Sequence, residues 1–390
     1  MVRAEQFSEN TWGQLIRVGS GKSGYWAYVP HPLPPPLEYD PALVNALSEA
    51  DRALGELAGL GRALPNPYLL ARPLAAREAV LSSRIEGTQA DLFDLYVFES
   101  GQPALPGFTI AEDAHEVHQY IQAMEYALSR LQELPISLRL IRETHAVLMT
   151  GVREGFAAPG EFRAVQNWIG APSSPISEAR FVPPPPDEMR QCLHQLEAYL
   201  HADDAHPPLV RLGLIHYQFE AIHPFLDGNG RIGRLLIILL MIHWGLLPSP
   251  ILYLSEYFER HRQDYYDLLL AVSTQGRWRD WLLFFLRGVR EQSIRAVETL
   301  RALQALQGDW RARVQSAQLR SRVVARALDL LMERPVLTAR VLQQAANCSH
   351  VAANAALAEL TRLGILTMQG TPRRRLFVAR EMLRLLQPPM

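Results

Sequence analysis

Cysteine is nearly absent from this chain. Cys192 and Cys348 are the only two in 390 residues. They lie far apart and no ligand cluster surrounds either, so neither a disulfide scaffold nor a structural zinc site is expected to hold the fold. Net charge is nearly absent as well: 39 basic residues stand against 40 acidic ones, a formal charge of -1. Nothing global therefore steers the chain toward nucleic acid or a membrane surface. No apolar run reaches the roughly 18 residues that a membrane-crossing helix needs. The opening Met1-Val2-Arg3-Ala4-Glu5 leads into polar residues, unlike a secretory leader. A soluble cytoplasmic protein with no membrane partner is expected. What the chain does have is apolar mass. At 48% hydrophobic it can bury a large core, and its length favours two or three domains.

The first 40 residues are rich in Gly, Pro and aromatics. Tyr25 to Pro30 reads as a short strand, and His31 to Pro36 as an extended segment, because each proline fixes its own φ and restrains its neighbour. Helical spacing starts near Pro41, where Leu43, Leu47, Leu54 and Leu57 share a face. A second helical region covers 67–98 and is interrupted at Gly87-Thr88. Further helices are expected over 110–134, 136–150, 187–202, 208–222, 254–272 and 278–306. Residues 158–186 are rich in Gly, Pro and Ser, with short apolar pieces at Asn167-Trp168-Ile169 and Ala179-Arg180-Phe181-Val182. A loop with a small hairpin fits this stretch better than a helix. Ile232 to Leu247 is an apolar segment stopped by Pro248, too short to span a bilayer and suited to a buried core helix.

The densest chemistry lies in His223-Pro224-Phe225-Leu226-Asp227-Gly228-Asn229-Gly230-Arg231-Ile232-Gly233-Arg234. The preceding helix carries Leu212, Ile215, Phe219 and Ile222 on one face, so His223 falls at a helix end. Gly228, Asn229 and Gly230 reach backbone conformations closed to bulkier residues, and their successive N–H groups can converge on an anion. The next helix adds its own N-terminal donors. Arg231 and Arg234 offer forks that suit phosphate oxygens. Asp227 can hold a magnesium ion shared with phosphates. A histidine can take a proton from a hydroxyl near neutral pH. Taken singly, each feature has an ordinary structural explanation, as a helix corner, a turn or a solvated face. Together they describe a phosphoryl- or nucleotidyl-transfer site.

This segment resembles the Fic family motif His-x-Phe-x-Asp/Glu-Gly-Asn-Gly-Arg-x-x-Arg, and residues 223–234 match every fixed position. The likeness extends over roughly residues 20–290. It includes Pro159-Gly160-Glu161-Phe162-Arg163 and Asn167-Trp168-Ile169-Gly170 before the motif, and Leu254-Ser255-Glu256-Tyr257 and Tyr265-Tyr266 after it. The resemblance implies a mainly α fold: a Fic-type helical domain with a short β-hairpin flap. It implies transfer of AMP from ATP, with Mg2+, to a Tyr, Thr or Ser hydroxyl of a target protein, the chain itself included. By the same analogy His223 is the general base and Asp227 the metal ligand. Gly228, Asn229, Gly230 and Arg231 hold phosphates, Arg234 meets the terminal phosphate, and Tyr257 and Tyr265 lie on the adenine side. His261-Arg262 departs from the Asn-Arg that relatives often carry there.

Ser82-Ser83-Arg84-Ile85-Glu86-Gly87 would alone be a solvated helix end. Beside the motif it resembles the family's inhibitory pattern Ser/Thr-x-x-x-Glu-Gly/Asn. That resemblance implies that Glu86, on a helix carrying Ser82, pairs with Arg234 and repels the terminal phosphate. Some relatives with this pattern also remove AMP. The resemblance also implies that Ile176 to Val182, with Phe181, is the flap that aligns a target segment by backbone pairing; the bland alternative is an ordinary surface loop.

The C-terminal 70 residues read as a winged helix. A helix over 322–332, a Thr338-capped helix, a turn at Asn347-Cys348-Ser349, a helix over 351–363 ended by Gly364, and a hairpin around Gly370-Thr371-Pro372 follow in order. Residues 321–390 hold ten Arg, no Lys and four acidic residues. A basic wing at Arg373-Arg374-Arg375 can meet DNA phosphates, but the alanine-rich second helix offers few base-reading groups. DNA, a protein partner and a second copy of the chain all stay open as its contacts. The expected organisation is an N-terminal region carrying the inhibitory helix over 1–105, a catalytic domain over 106–290, a helical linker over 291–320 and the winged helix over 321–390. Two other functions stay open: a phosphodiesterase that removes AMP, and a DNA-binding regulator with a sensory or vestigial Fic domain.

Overall fold

The structure is a computed structural model, and it describes residues 4–21, 24–64, 67–101, 111–152, 158–171, 174–371 and 374–387. The chain opens with a hairpin, β1 (Gly13–Val18) and β2 (Tyr25–Pro30), followed by α1 (Pro41–Ala63), α2 (Pro67–Ile85), α3 (Leu92–Glu99), α4 (Ala111–Arg130) and α5 (Leu138–Leu148). Then come α6 (Pro186–His201), α7 (Pro208–Ile222), α8 (Asn229–His243), α9 (Ser255–Arg260), α10 (Arg262–Gln275) and the long α11 (Trp278–Ser316). The last part contains α12 (Arg322–Glu333), β3 (Val336–Leu337), α13 (Ala339–Ala346), α14 (His350–Arg362), β4 (Thr367–Thr371), β5 (Arg374–Val378) and α15 (Arg380–Leu386). Among the described residues no helix is long and apolar enough to cross a membrane.

Local chemistry sets most of these boundaries. Proline opens α1, α2, α6 and α7, where its missing N–H costs nothing and its fixed φ suits the first turn. Asp40 accepts from the Leu43 N–H at 2.8 Å and caps α1. Thr338 and Ser349 cap α13 and α14, and Asn347 closes α13 in the left-handed conformation. The expected single helix over 254–272 is instead two. The break falls at His261, whose φ of -111° and ψ of 37° lie outside the helical region. The expected helix from 278 runs on to Ser316 without a break.

The chain divides into two compact units. One contains residues 1–55, 122–246 and 257–291; the other contains 56–121, 247–256 and 292–390. In the first, α7 is central: α8, α6, α10 and β2 pack on it, and α5 packs on α8. The sequence explains the close approach of α7 and α8, because a Cβ at Gly233 would lie 3.2 Å from the Phe219 ring. In the second unit, α12 and α15 pack against α2, and α3 packs against β3. The three C-terminal strands form an antiparallel sheet in the order β3-β5-β4, with Thr367 opposite Val378 and Met368 opposite Phe377. The helix, turn, helix and hairpin expected from the sequence are thus present. They are packed on α2, however, and do not stand apart as an appendage. Pro372 and Arg373 of the expected wing, and the side chain of Arg374, lie outside the described residues.

Candidate active site

His223 ends α7 with φ 49° and ψ 61°, a left-handed conformation that costs a non-glycine residue roughly 1–2 kcal/mol. The surrounding chain holds it there. Its N–H donates to the Phe219 carbonyl at 3.0 Å. Its own carbonyl accepts from Arg163 Nε at 2.9 Å and from Asn167 Nδ2 at 3.4 Å. Arg163 is buried, and its guanidinium also donates to the carbonyls of Val165, Pro184 and Ile222. Burial brings the Arg163 pKa down to about 10, which still leaves it cationic at neutral pH. The His223 ring packs back on its own helix: Nδ1 lies 3.3 Å from the Glu220 carbonyl. A carbonyl only accepts, so Nδ1 carries the proton and the basic lone pair belongs to Nε2.

The loop after His223 is closed by Asn229. Its Oδ1 accepts from the Phe225 N–H at 2.8 Å and its Nδ2 donates to the Phe225 carbonyl at 2.9 Å. The Asn229 side chain therefore shapes the turn. Gly228 precedes α8 in the left-handed region, at φ 79°, and α8 has no side-chain cap. The first backbone bond into the loop is Ile232 N–H to the Gly228 carbonyl at 3.0 Å. The N–H groups of Asn229 and Gly230, ahead of that bond, have no acceptor inside the helix, and they lie at the positive end of its dipole. Asp227, with 28% of its side chain exposed, sits at this mouth. Its Oδ1 accepts from the Gly228 N–H at 2.6 Å and lies 3.7 Å from Arg231 Nη2.

The two arginines differ from surface phosphate clamps. Arg231 is fully buried, and its Nη2 reaches Met149 Sδ at 3.6 Å. Arg234 is 2% exposed within α8. Tyr257 and Tyr265, expected to face adenine, are core residues. Tyr257 packs on Phe284 and His261, and burial raises its pKa to about 12. Tyr265 is 1% exposed, with its hydroxyl 2.8 Å from His216 Nε2.

The expected flap is smaller than a hairpin. Ile176–Glu178 is a single 3-10 turn. Among the described residues the one pairing here is the Ile169–Phe181 bridge, with N–H to carbonyl distances of 2.9 and 3.1 Å. Phe181 and Val182 are buried and Val182 offers its carbonyl to Tyr28, so proline-rich flanks leave only a short edge for pairing. In the other unit, Ser82 is fully buried in α2 and Glu86 is exposed just past the helix end. Ser83 accepts from the N–H groups of Glu86 and Thr88 at 3.0 and 3.2 Å, and Gly87 turns the chain at φ 110°.

Residues 44–129 match the family profile described as Fic/DOC family N-terminal, and residues 135–241 match the one described as Fic/DOC family. The chain is a Fic/DOC-family protein. Among curated proteins, this Fic chain is similar to protein adenylyltransferase Fic of Drosophila grimshawi, 30% identical over 209 residues that cover 51% of this chain and 38% of that protein. It is similar to protein adenylyltransferase Fic of Aedes aegypti, 31% identical over 206 residues covering 51% and 37%. The chain thus spans less than two fifths of the length of these two relatives. Among solved structures, a Fic family protein from Desulfovibrio desulfuricans G20 aligns with a TM-score of 0.57 at 22% identity, over 89% of this chain and 98% of that one. A Fic domain containing signaling protein from Bacteroides thetaiotaomicron VPI-5482 aligns with a TM-score of 0.51 at 19% identity, over 65% and 94%. These two likenesses show the fold.

Two residues central to the geometry, Arg163 and His145, both buried, are marked by no motif or spacing of their own, because each acts on backbone far along the chain.

Proposed function

We propose that the chain is a protein adenylyltransferase, moving AMP from ATP to a Ser, Thr or Tyr hydroxyl of a protein. One observation carries this: His223 is held left-handed with Nδ1 on the Glu220 carbonyl, directly before the uncapped start of α8. Nε2 takes the proton of the target hydroxyl as its oxygen attacks the α-phosphorus. The bond from that phosphorus to the bridging oxygen breaks, and pyrophosphate leaves. First-turn N–H groups of α8 hold phosphate oxygens at fixed positions, so no reorganisation is needed as charge develops. Arg234 meets the terminal phosphate. Names borne by the relatives support the activity.

The residues present fit magnesium carried in by the nucleotide. Among the described residues no three His, Cys, Asp or Glu side chains form an all-protein metal cage. A single partly exposed carboxylate beside phosphate donors is the usual arrangement for Mg2+, and Asp227 provides it. When bound, the ion would neutralise phosphate charge.

Autoinhibition in cis belongs to the same proposal: Glu86 pairs with Arg234 and withdraws it from the phosphate. Glu86 is exposed on a turn fixed by Ser83, and Arg234 is a buried cation. The flap offers a target segment the edge around Ile176 and the Phe181 bridge. The C-terminal module is a winged helix in this proposal, and its exposed Arg340, Arg362, Arg375 and Arg380 suit either DNA phosphates or the acidic side chains of a protein partner or second copy.

The test is intact-mass analysis of lysate proteins and of the chain itself after incubation with ATP and Mg2+. A gain of one AMP is expected. AMP release from a premodified target, without transfer, would assign the phosphodiesterase activity. Neither reaction in wild type or Glu86→Gly would remove the enzymatic assignment.

A further inference from the structure

His145 lies on α5, 82 residues before Asp227, yet it touches the transfer loop directly. Its Nδ1 is 2.9 Å from the Gly160 N–H and its Nε2 is 3.0 Å from the Asp227 carbonyl. A backbone N–H can only donate, so Nδ1 is bare. A backbone carbonyl can only accept, so Nε2 bears the proton. One tautomer satisfies both bonds. The ring plane is fixed as well: it stacks on Phe225 with centroids 3.7 Å apart and planes 7° apart. The loop also lies close against α5, since a Cβ at Gly228 would stand 3.1 Å from Met149 Sδ and 3.4 Å from His145 Nε2. Gly160 is anchored in turn by Arg142, whose Nε donates to its carbonyl at 2.8 Å.

We propose that His145 is a positioning residue for AMP transfer: its Nε2–H holds the Asp227 carbonyl and so sets the peptide that joins Asp227 to Gly228, which presupposes the function proposed above. That peptide carries the Asp227 carboxylate on one side and leads into the α8 donors on the other. A rotation there would misplace both without removing either. Misplacement by about 1 Å can cost roughly 100-fold in rate, and loss of a group's outer support typically costs about 10- to 100-fold.

Three substitutions separate the roles of the ring. His145→Gln places an amide N–H near the Nε2 position, His145→Asn places an acceptor near Nδ1, and His145→Phe keeps the stacking alone. We expect kcat for AMP transfer, in wild-type and Glu86→Gly chains, to fall about 10- to 100-fold in the Phe and Asn proteins. The Gln protein should recover most of it. Calorimetry should show ATP–Mg2+ affinity changed far less than kcat, as for an interaction that matters in the transition state. Rescue by Asn and not Gln, or full activity in Phe, overturns the proposal. A separate readout needs no activity and no substitution to fold well. Long-range 1H–15N NMR of the ring in the native full chain, assigned by its loss in any one variant, should show a protonated Nε2 and a bare Nδ1. The opposite tautomer overturns the inference. If no chain transfers AMP, the function proposed above fails, and the ring spectrum still decides what His145 holds.

Discussion

Arg163 grips the carbonyl of His223 through its Nε at 2.9 Å, and the same guanidinium reaches the carbonyl of Ile222 one residue earlier. A buried cation thus fastens the end of α7 where the backbone is least comfortable. Arg163→Lys keeps the charge and loses the planar fork. Leaving buried carbonyls unsatisfied costs about 1–3 kcal/mol, so the midpoint of denaturant unfolding should drop. AMP transfer should fall by at least roughly 10-fold, as the His223 ring loses its fixed place. Mass-based rates and urea curves on the same preparation check both. Unchanged transfer in a folded Arg163→Lys protein would show that the turn holds without the fork.

His223 is both a reacting group and a left-handed helix end, and two substitutions separate these roles. Ala lacks the base and tolerates the left-handed region poorly; Asn lacks the base and tolerates it well. Both should lose transfer by roughly 10²–10⁴-fold. His223→Asn should melt higher than His223→Ala, with ATP affinity by calorimetry close to wild type in each. Substantial transfer by either variant would take the general base away from His223.

Glu86→Gly should raise transfer well above wild type. The position lies beyond the last residue of α2, so the helix cost of Gly, about 1 kcal/mol in a helix interior, is largely avoided. Glu86→Gly combined with Arg234→Ala should be inactive, because the cation's own contact with phosphate is then gone. Labelled ATP with autoradiography reads out both. Equal rates in wild type and Glu86→Gly at saturating ATP would return Glu86 to an ordinary solvated turn.

The stability of the chain should fall as acid is added, in part through His216. Burial, with the Arg234 cation adding to it, brings its pKa down to about 3. In an unfolded chain the same group titrates near 6.5. Between these values the unfolded state binds a proton that the folded state refuses, so stability present at neutral pH is lost as pH falls through that window. Urea midpoints measured from about pH 7 to about pH 4.5 should decline in wild type and decline less steeply in His216→Gln. Equal slopes would assign the loss to other groups.

Much of the site was legible because its parts are neighbours in sequence. The α7 face, the Gly228-Asn229-Gly230 turn and the start of α8 follow one another, and each obeys a local rule of spacing or capping. The cap at Thr338, the turn at Asn347-Cys348-Ser349 and the stop at Gly364 were legible for the same reason. Arg163 and His145 were not, because each acts on backbone 60 and 82 residues further along. No periodicity marks a side chain whose partner is a distant carbonyl. Tyr257 and Tyr265 show the converse: nothing in their local sequence announces how deeply each is buried. The break at His261 was hidden because it falls inside the polar run Glu259 to Asp264, which holds no Gly or Pro to mark it.

The packing of α12 and α15 on α2 has a consequence for how the chain is made. Glu99, 3% exposed, shows the connection in miniature: burial pushes its pKa up, but His118, Arg334 and Arg72 together bring it down. Arg72 belongs to α2, whereas Arg334 follows α12 and is translated some 260 residues later. During synthesis His223 and the whole transfer loop leave the ribosome before the residues that cover α2 exist. The helix leading to Glu86 must wait, with its α12-facing side bare, until the last stretch of chain arrives. In order of birth, the reacting groups come first and the full support of α2 comes last.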